Sequence, residues 1–464
     1  MRRSRILLAI CLLCLLVSAC SGVNQEKLET IDPVLQTTEP VKTDTVECPT
    51  EPAVPIEEPT EEPTEEPTEE PTEEPTEEPT ESPATPEPAA ELISEGLKVL
   101  INGENFVKYL SDGSYWSNRA IRTHQTLELE CETPFSGIYF EWGTVPGAYS
   151  IIWDGGSLEC GQNGFLHEYV YLPEATERIA VQFHNEEDQR LIDVEVFTEG
   201  IPPEWVQTWL PPCEEADILV FPTHSDDDAL FFGPLISYYA IERGLRVQTA
   251  FMVEHRGYPE RDHERLNGLW EMGVRHYPIL GTAPDTSETQ FHTAMSFYSS
   301  SNIEQWQVEQ IRRFKPMVVV GHDLKGEYGN GGHKVNAHFL VQAVESAADT
   351  EQFPESAQQY GIWDTPKLYL HLYEENEIVL DVNTSLTNDP EGRTPFEIAV
   401  AAYRFHKSQH YTSYKVRQDG SRMYDCRFFG LYRTLVGYDT VPDIMEHIDR
   451  TLWRNSDGNS TNDG

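Results

Sequence analysis

The five residues His224-Ser225-Asp226-Asp227-Asp228 place one histidine and three carboxylates side by side. A catalytic zinc site takes three nitrogen, sulfur or oxygen ligands from the protein and keeps one position open. A histidine and a carboxylate three residues apart, across a strand-to-helix turn, can reach one ion. The carboxylate between them then points elsewhere and is free to take a proton from a nucleophilic water. A second cluster, Gly321-His322-Asp323 followed by Gly326-Glu327-Tyr328-Gly329-Asn330-Gly331-Gly332-His333, could supply a third ligand. Taken alone, an Asp-rich turn is as readily a solvated helix cap or a calcium contact.

The elements around these clusters decide how they meet. Asp217 to Phe221 reads as an apolar strand running straight into the first cluster, with a helical stretch from Ala229. Val247 to Val253 is a second strand, Glu260 to Met272 and Glu304 to Phe314 are helices, and Met317 to Val320 is a strand of consecutive apolar residues. Such runs suit strands buried on both faces of a parallel sheet. The pattern predicts a Rossmann-like, doubly wound α/β domain, in which ligands bind beyond the carboxyl ends of the strands. Both clusters fall there, and a helix is expected to open near His333.

In that order and context the clusters resemble the PIG-L (LmbE-like) N-acetylglucosaminyl deacetylase family, whose signature is Ala-His-Pro-Asp-Asp-Glu after the first strand. The resemblance continues through Arg261-Asp262-His263-Glu264 leading to Met272-Gly273-Val274, and through Gly326 to His333. It spans about Asp217 to Ala347 and extends more faintly to Lys367–His371 and Phe405-His406-Lys407-Ser408-Gln409. It implies His224, Asp227 and His333 as ligands of a zinc ion, or of another divalent metal suited to two histidines and a carboxylate. It implies Asp226 as the general base and hydrolysis of the acetamide of an N-acetylated sugar or glycan. Arg256, just past the second strand, is a candidate for sugar hydroxyls, with a surface salt bridge as the alternative. Three positions depart from the family pattern. Ser225 stands for proline, Asp228 for glutamate, and Asn330 for a histidine that stabilises the oxyanion or protonates the leaving amine. An asparagine amide donates a hydrogen bond but delivers no proton. Losing an acid costs about 10²–10⁴-fold in rate. Either His322 serves as the acid, or the domain turns over slowly, or it only binds glycan.

The preceding segment, about Ile93 to Gly200, alternates apolar and polar residues in Leu127-Glu128-Leu129-Glu130, Gly137 to Trp142, Ile179 to Phe183 and Asp193 to Phe197. Short alternating runs broken by Gly, Pro and Asn predict a β-sandwich. Leu110-Ser111-Asp112-Gly113-Ser114-Tyr115-Trp116 is similar to the opening of discoidin-type, galactose-binding-like modules. There Tyr115 and Trp116 could stack on a sugar, or fill a core.

The N-terminus carries Arg2, Arg3 and Arg5 before an apolar run from Ile6 to Val17. That run has the length of a signal-peptide core and is too short to span a bilayer. It ends in Val17-Ser18-Ala19-Cys20, similar to a bacterial lipobox, which implies lipidation of Cys20 and anchoring on the extracytoplasmic face by two acyl chains. Glu57 to Thr80 repeats Glu-Glu-Pro-Thr about six times, an extended stalk of roughly 75 Å at about 3.1 Å per residue. Expected boundaries are a signal peptide over 1–19, the lipidated cysteine and stalk over 20–92, the β-sandwich over 93–203, the α/β domain over 204–454 and a polar tail over 455–464. With 33 Lys and Arg against 79 Asp and Glu, the net charge of −46 excludes nucleic acid as a natural partner. Cys131 and Cys160 lie in one small segment and form the pair to test for a disulfide, buried free cysteine being the alternative.

Overall fold

A computed structural model of the chain describes residues 88–451, apart from positions 94, 256 and 299. The signal segment, Cys20, Cys48, the stalk, the 455–464 tail and Arg256 lie outside the described residues. Among the described residues no helix is long and apolar enough to cross a membrane.

The strands of the N-terminal part all pair antiparallel, with one short 3-10 turn at Val107–Tyr109. The alternating runs prove to be pieces of longer elements: Leu127–Trp142, His167–Phe183 and Gln189–Phe197. The first two pair along their length, with register breaks between Glu130 and Phe135 and between Phe135 and Gly137. On either side of that irregularity the neighbours change. Lys98–Ile101 pairs with Leu127–Glu130, and Gln189–Phe197 pairs with Gly137–Trp142. Local bulges of this sort bend a strand and raise its twist. Trp142 from one end of the ladder contacts the rings of Tyr149 and Phe183 from the other. Nine strands are joined in one hydrogen-bonded sheet. Of the two readings of Cys131 and Cys160, buried free cysteine is the one found: both thiols are free and buried. Cys131 Sγ turns to the Glu95 carbonyl at 3.6 Å and Cys160 Sγ to the Leu158 carbonyl at 3.8 Å.

The second part is a mixed α/β sheet. Its strands are β1 (Ile218–Val220), β2 (Val247–Glu254), β3 (Ile279–Pro284), β4 (Val318–Gly321), β5 (Lys367–His371), β6 (Glu377–Val379) and β7 (Phe428–Thr434). Their order is β3-β2-β1-β4-β5-β7-β6. The first five run parallel, and β7 pairs antiparallel with both β5 and β6. All residues of β1, β4 and β5 are buried, as the unbroken apolar runs of β1 and β4 predict. The main helices are α1 (Glu260–Glu271), α2 (Ser300–Phe314), α3 (Gly331–Ala347) and α4 (Pro395–Tyr403). The order in which strands are added switches sides between β1 and β4, which are direct parallel neighbours. The crevice beyond their carboxyl ends is where such sheets bind ligands.

Candidate functional site

Both polar clusters meet in that crevice. His224 to Asp228 turns out of β1 into a helical run over residues 228–242, and the second cluster leaves β4 and enters α3. Asp227 Oδ2 sits at the centre. It accepts the backbone N–H groups of Thr223 at 3.1 Å and His224 at 2.6 Å. His224 Nδ1 lies 3.1 Å from it and His333 Nε2 3.2 Å. The same two ring nitrogens are 3.1 Å apart. His224, Asp227 and His333 are therefore brought together as the sequence implied, all three buried.

Glu327 sets the orientation of this cluster. Its side chain is fully buried. Oε2 faces His322 Nδ1 at 2.9 Å and His333 Nδ1 at 2.8 Å; Oε1 faces His371 Nδ1 at 2.7 Å and accepts the Asp323 N–H at 3.1 Å. A ring that donates through Nδ1 to a carboxylate leaves Nε2 as an acceptor, so Glu327 turns the His333 lone pair toward Asp227 and His224. The loop that delivers Glu327 turns at Gly326, at φ +67°, where a Cβ would lie 2.3 Å from the Asn330 carbonyl oxygen. Tyr328 follows with φ +44°, a left-handed conformation that costs a non-glycine residue energy and clusters at functional sites. Phe231 and Phe232 pack edge-on against His333 and His322 and keep this floor apolar.

The electrostatics follow from burial and pairing. Burial works against charge on His224, but Asp227 and Asp285 outweigh it and push the ring up to about 9. Burial opposes charge on His322 and Glu327 and Asp227 favour it, while the Thr223 N–H aimed at Nε2 keeps that nitrogen an acceptor. Burial raises Glu327 while the surrounding histidines hold it well below the usual carboxylate range. Asp226 is raised by burial, and Arg261 opposes that rise.

Asp226 stands beside the cluster with its Oδ1 accepting from Arg261 Nη2 at 2.8 Å. Arg261 Nη1 also reaches toward Asp285, whose other oxygen lies 3.4 Å from His224 Nε2. His255 Nδ1 faces Asp285 at 2.9 Å while its Nε2 accepts the Ser225 N–H at 3.1 Å. Two expected participants have other employment. His322 accepts the Thr223 N–H on Nε2 at 2.9 Å and turns Nδ1 to Glu327, so neither nitrogen is open to a leaving group. Asn330 is the N-cap of α3: its Oδ1 accepts the N–H groups of Gly332 at 2.7 Å and His333 at 3.1 Å. His406 is buried against Gly268, with its Nε2 3.9 Å from Asp228. Glu327, Asp285, His255 and Arg261 are functional neighbours that sequence reasoning did not single out, although Glu327 and Arg261 lie inside the quoted motifs. Tyr328 belongs with them: its ring meets His333 edge-on at 5.5 Å.

The residues fit a divalent ion. The three ligand atoms form a triangle with sides of 3.1, 3.1 and 3.2 Å. Tetrahedral bonds of about 2.0–2.1 Å require ligand separations of about 3.3 Å. Asp227 Oδ1 is buried and has no hydrogen-bond partner.

Fold and site thus define an α/β protein with a buried two-histidine, one-carboxylate centre and a second carboxylate beside it. No protein-family model matches the chain. It is 27% identical over 173 residues to the 1D-myo-inositol 2-acetamido-2-deoxy-alpha-D-glucopyranoside deacetylase 2 of Saccharopolyspora erythraea, covering 32% of this chain and 61% of the relative. It is 25% identical over 186 residues to the corresponding deacetylase 1 of Catenulispora acidiphila, covering 34% of this chain and 56% of the relative. A shorter stretch of 54 residues is 41% identical to the mycothiol S-conjugate amidase of Streptomyces coelicolor, covering 12% of this chain and 18% of that protein. Among solved structures, N,N'-diacetylchitobiose deacetylase from Pyrococcus horikoshii superposes with a TM-score of 0.33 at 16% identity, over 43% of this chain and 72% of that one. The chain is similar, over about a third of its length, to deacetylases, and it spans about three-fifths of the length of these two relatives.

Proposed function

We propose that the protein hydrolyses the acetamide of an N-acetylglucosamine-type sugar or glycan, using a zinc ion held by His224, Asp227 and His333. The observation that carries this reading is the convergence of those three side chains with Asp226 at their edge. A divalent ion there supplies Lewis acidity toward an acyl oxygen and acidity to a water. Asp226 takes the proton of the attacking water and passes it to the departing amine, and Arg261 holds the carboxylate through both transfers. Glu327 fixes the His333 tautomer, and His322 and His371 surround Glu327 as its donors. Burial and the charges of Asp227 and Asp226 raise the Tyr328 phenol, so it keeps its proton and donates to the developing oxyanion. Tyr328 thereby takes the part that Asn330, committed to the cap, does not fill. The relatives named for deacetylation of an acetamido sugar support the same reaction type.

The antiparallel region is read as a β-sandwich, and Cys20 as the lipidated residue that anchors the chain on the outer face of the membrane. The test is acetate release from N-acetylglucosamine oligomers by zinc-loaded protein, beside Asp226→Asn. Release by the wild type and a fall of about 10²–10⁴-fold in the variant are expected. Equal release by both would remove Asp226 as the base. No release from any glycan, with tight glycan binding retained, would favour a binding lipoprotein that lacks turnover.

A further inference from the structure

The helix α1 has two working faces. Arg261, Glu264, Arg265 and Gly268 share one stripe and point to the crevice. Arg261 donates to Asp226, Arg265 Nη1 donates to Ser225 Oγ at 3.0 Å, and Glu264 accepts the Ser408 N–H at 2.7 Å. A Cβ at Gly268 would come within 3.0 Å of His406. His263, Asn267 and Trp270, at i, i+4 and i+7, form the other stripe. That stripe is held by the antiparallel β region and the segment that follows it.

Tyr115 lies flat on His263, with ring centroids 4.8 Å apart and planes 13° apart. Its hydroxyl accepts from Asn267 Nδ2. His263 Nδ1 lies 2.8 Å from His167 Nε2. His167 Nδ1 faces Gln207 Oε1 at 2.8 Å, and the same oxygen accepts Trp209 Nε1–H at 2.8 Å. The acceptor at Gln207 fixes the direction of the chain: His167 donates through Nδ1, so His263 donates its Nδ1–H to His167 Nε2. Gln207 Nε2 then donates to Asn267 Oδ1 at 2.5 Å, closing the network. Trp270 Nε1–H donates to the Glu204 carbonyl at 2.7 Å. A second contact lies nearby, where the Leu166 N–H donates to the Tyr277 hydroxyl at 3.0 Å and Phe165 stacks on Tyr277 at 4.6 Å. Tyr115 is therefore spent on this seam and is no sugar platform, whereas its neighbour Trp116 is 75% exposed.

We infer that the antiparallel β region is a fixed part of the catalytic unit: Tyr115 and His167 are positioning residues that clamp α1 and thereby hold Arg261 on Asp226. A buried polar network, here satisfied except at His263 Nε2, specifies one arrangement, because each broken link leaves a desolvated group without a partner. The chain of contact runs from Tyr115 to His263, two residues along the helix to Arg261, and from Arg261 to Asp226. No flexible tether separates the β region from the site, since Gln207 and Trp209 of the connecting segment are themselves buried members of the network.

The activity arm of the test rests on the proposed deacetylation; the exchange arm does not. Tyr115→Ala and His167→Asn would be made in the full chain, with Tyr115→Phe as the conservative variant that keeps the stacking. Amide hydrogen exchange is followed across the molecule. Faster exchange confined to residues 261–267 in Tyr115→Ala and His167→Asn, restored in Tyr115→Phe, is expected. Acetate release should show kcat down about tenfold or more, with KM and zinc stoichiometry unchanged, as misplacement of a supporting group does. Unchanged exchange over 261–267 overturns the clamp. Loosened exchange with an unchanged kcat overturns the positioning role. A wild type that releases no acetate from any N-acetylated glycan overturns the proposed function, and the exchange pattern still decides the clamp.

Discussion

Replacing Glu327 by glutamine keeps the shape of a fully buried carboxylate in the site and changes only what its two ends can accept. Four donors converge on it: the Nδ1 atoms of His322, His333 and His371 and the Asp323 N–H. Glutamine has one acceptor end and one donor end. If the amide NH2 faces His322 and His333, both rings must move their protons to Nε2. His322 then opposes the Thr223 N–H that it now accepts at 2.9 Å, and His333 points a proton at Asp227 in place of a lone pair. If the NH2 faces the other way, the buried Asp323 N–H and His371 lose their acceptor instead. An unsatisfied buried donor costs about 1–3 kcal/mol. Loss of the group that orients a ligating histidine costs about 10–100-fold in metal affinity, roughly 1.4–2.7 kcal/mol. The assay is zinc competition against a chromophoric chelator, with urea unfolding of the same samples. Glu327→Gln should bind zinc about 10–100-fold more weakly and unfold at lower urea. A folded variant with wild-type zinc affinity would refute the orienting role and the tautomer argument with it.

Asn330→Ala removes the α3 cap and should lower stability by about 1 kcal/mol in urea unfolding; a kcat loss above about 10²-fold at wild-type stability would make Asn330 a chemical group instead. His167 is lowered by burial to about 4 in the folded chain, against about 6.5 unfolded. Between those values the unfolded chain binds a proton that the folded chain does not, so this group withdraws stability as pH falls through that window, by about 3 kcal/mol in all. His167→Asn should therefore show a shallower loss of stability from pH 6.5 to 4 than the wild type, and parallel curves would contradict the buried neutral ring. Chelator treatment should lower Tm and zinc should restore it, with His224→Ala and His333→Ala insensitive to both; an equal zinc response in those variants would remove the site.

What the sequence made legible was whatever repeats locally. Apolar runs gave β1, β2 and β4, and because β1 and β4 are neighbours the two clusters that follow them had to meet. His224, Asp226, Asp227 and His333 could be named from spacing and resemblance because the first three follow β1 directly and His333 lies in the first turn of the helix that follows β4. Glu327 was visible only as a letter in a motif. Its role arises because His322 comes off β4, His333 sits on α3 and His371 ends β5, and no local pattern announces that three elements aim one ring nitrogen each at the same carboxylate. Asn330 misled for the opposite reason. Its position suggested chemistry, while the two helix N–H groups it accepts depend on where α3 starts. Tyr115 was legible as an aromatic near a strand, but its partner His263 is 148 positions away and on a different fold element.

Asn330 also sharpens the question of how this site would release an amine. The cap holds the N–H of His333 itself, so the residue in the departing histidine's place keeps the ligand's backbone in position. His322 is closed at both nitrogens. The group left with a proton, a ring against His333 and a strained backbone is Tyr328, reinforced from behind by Tyr414, whose ring stacks on it at 4.6 Å. A phenol whose proton is held so firmly can offer a hydrogen bond but does not give the proton up. Tyr328→Phe should therefore lower kcat by about 10²–10³-fold, the loss expected for one oxyanion donor, without altering zinc affinity. The pH dependence sharpens the test. An oxyanion donor that never ionises contributes no limb to the pH–rate profile, so wild type and Tyr328→Phe should give profiles of the same shape at different heights. A basic limb present in the wild type and missing from the variant would show that Tyr328 gives up its proton, and would return the acid to the site.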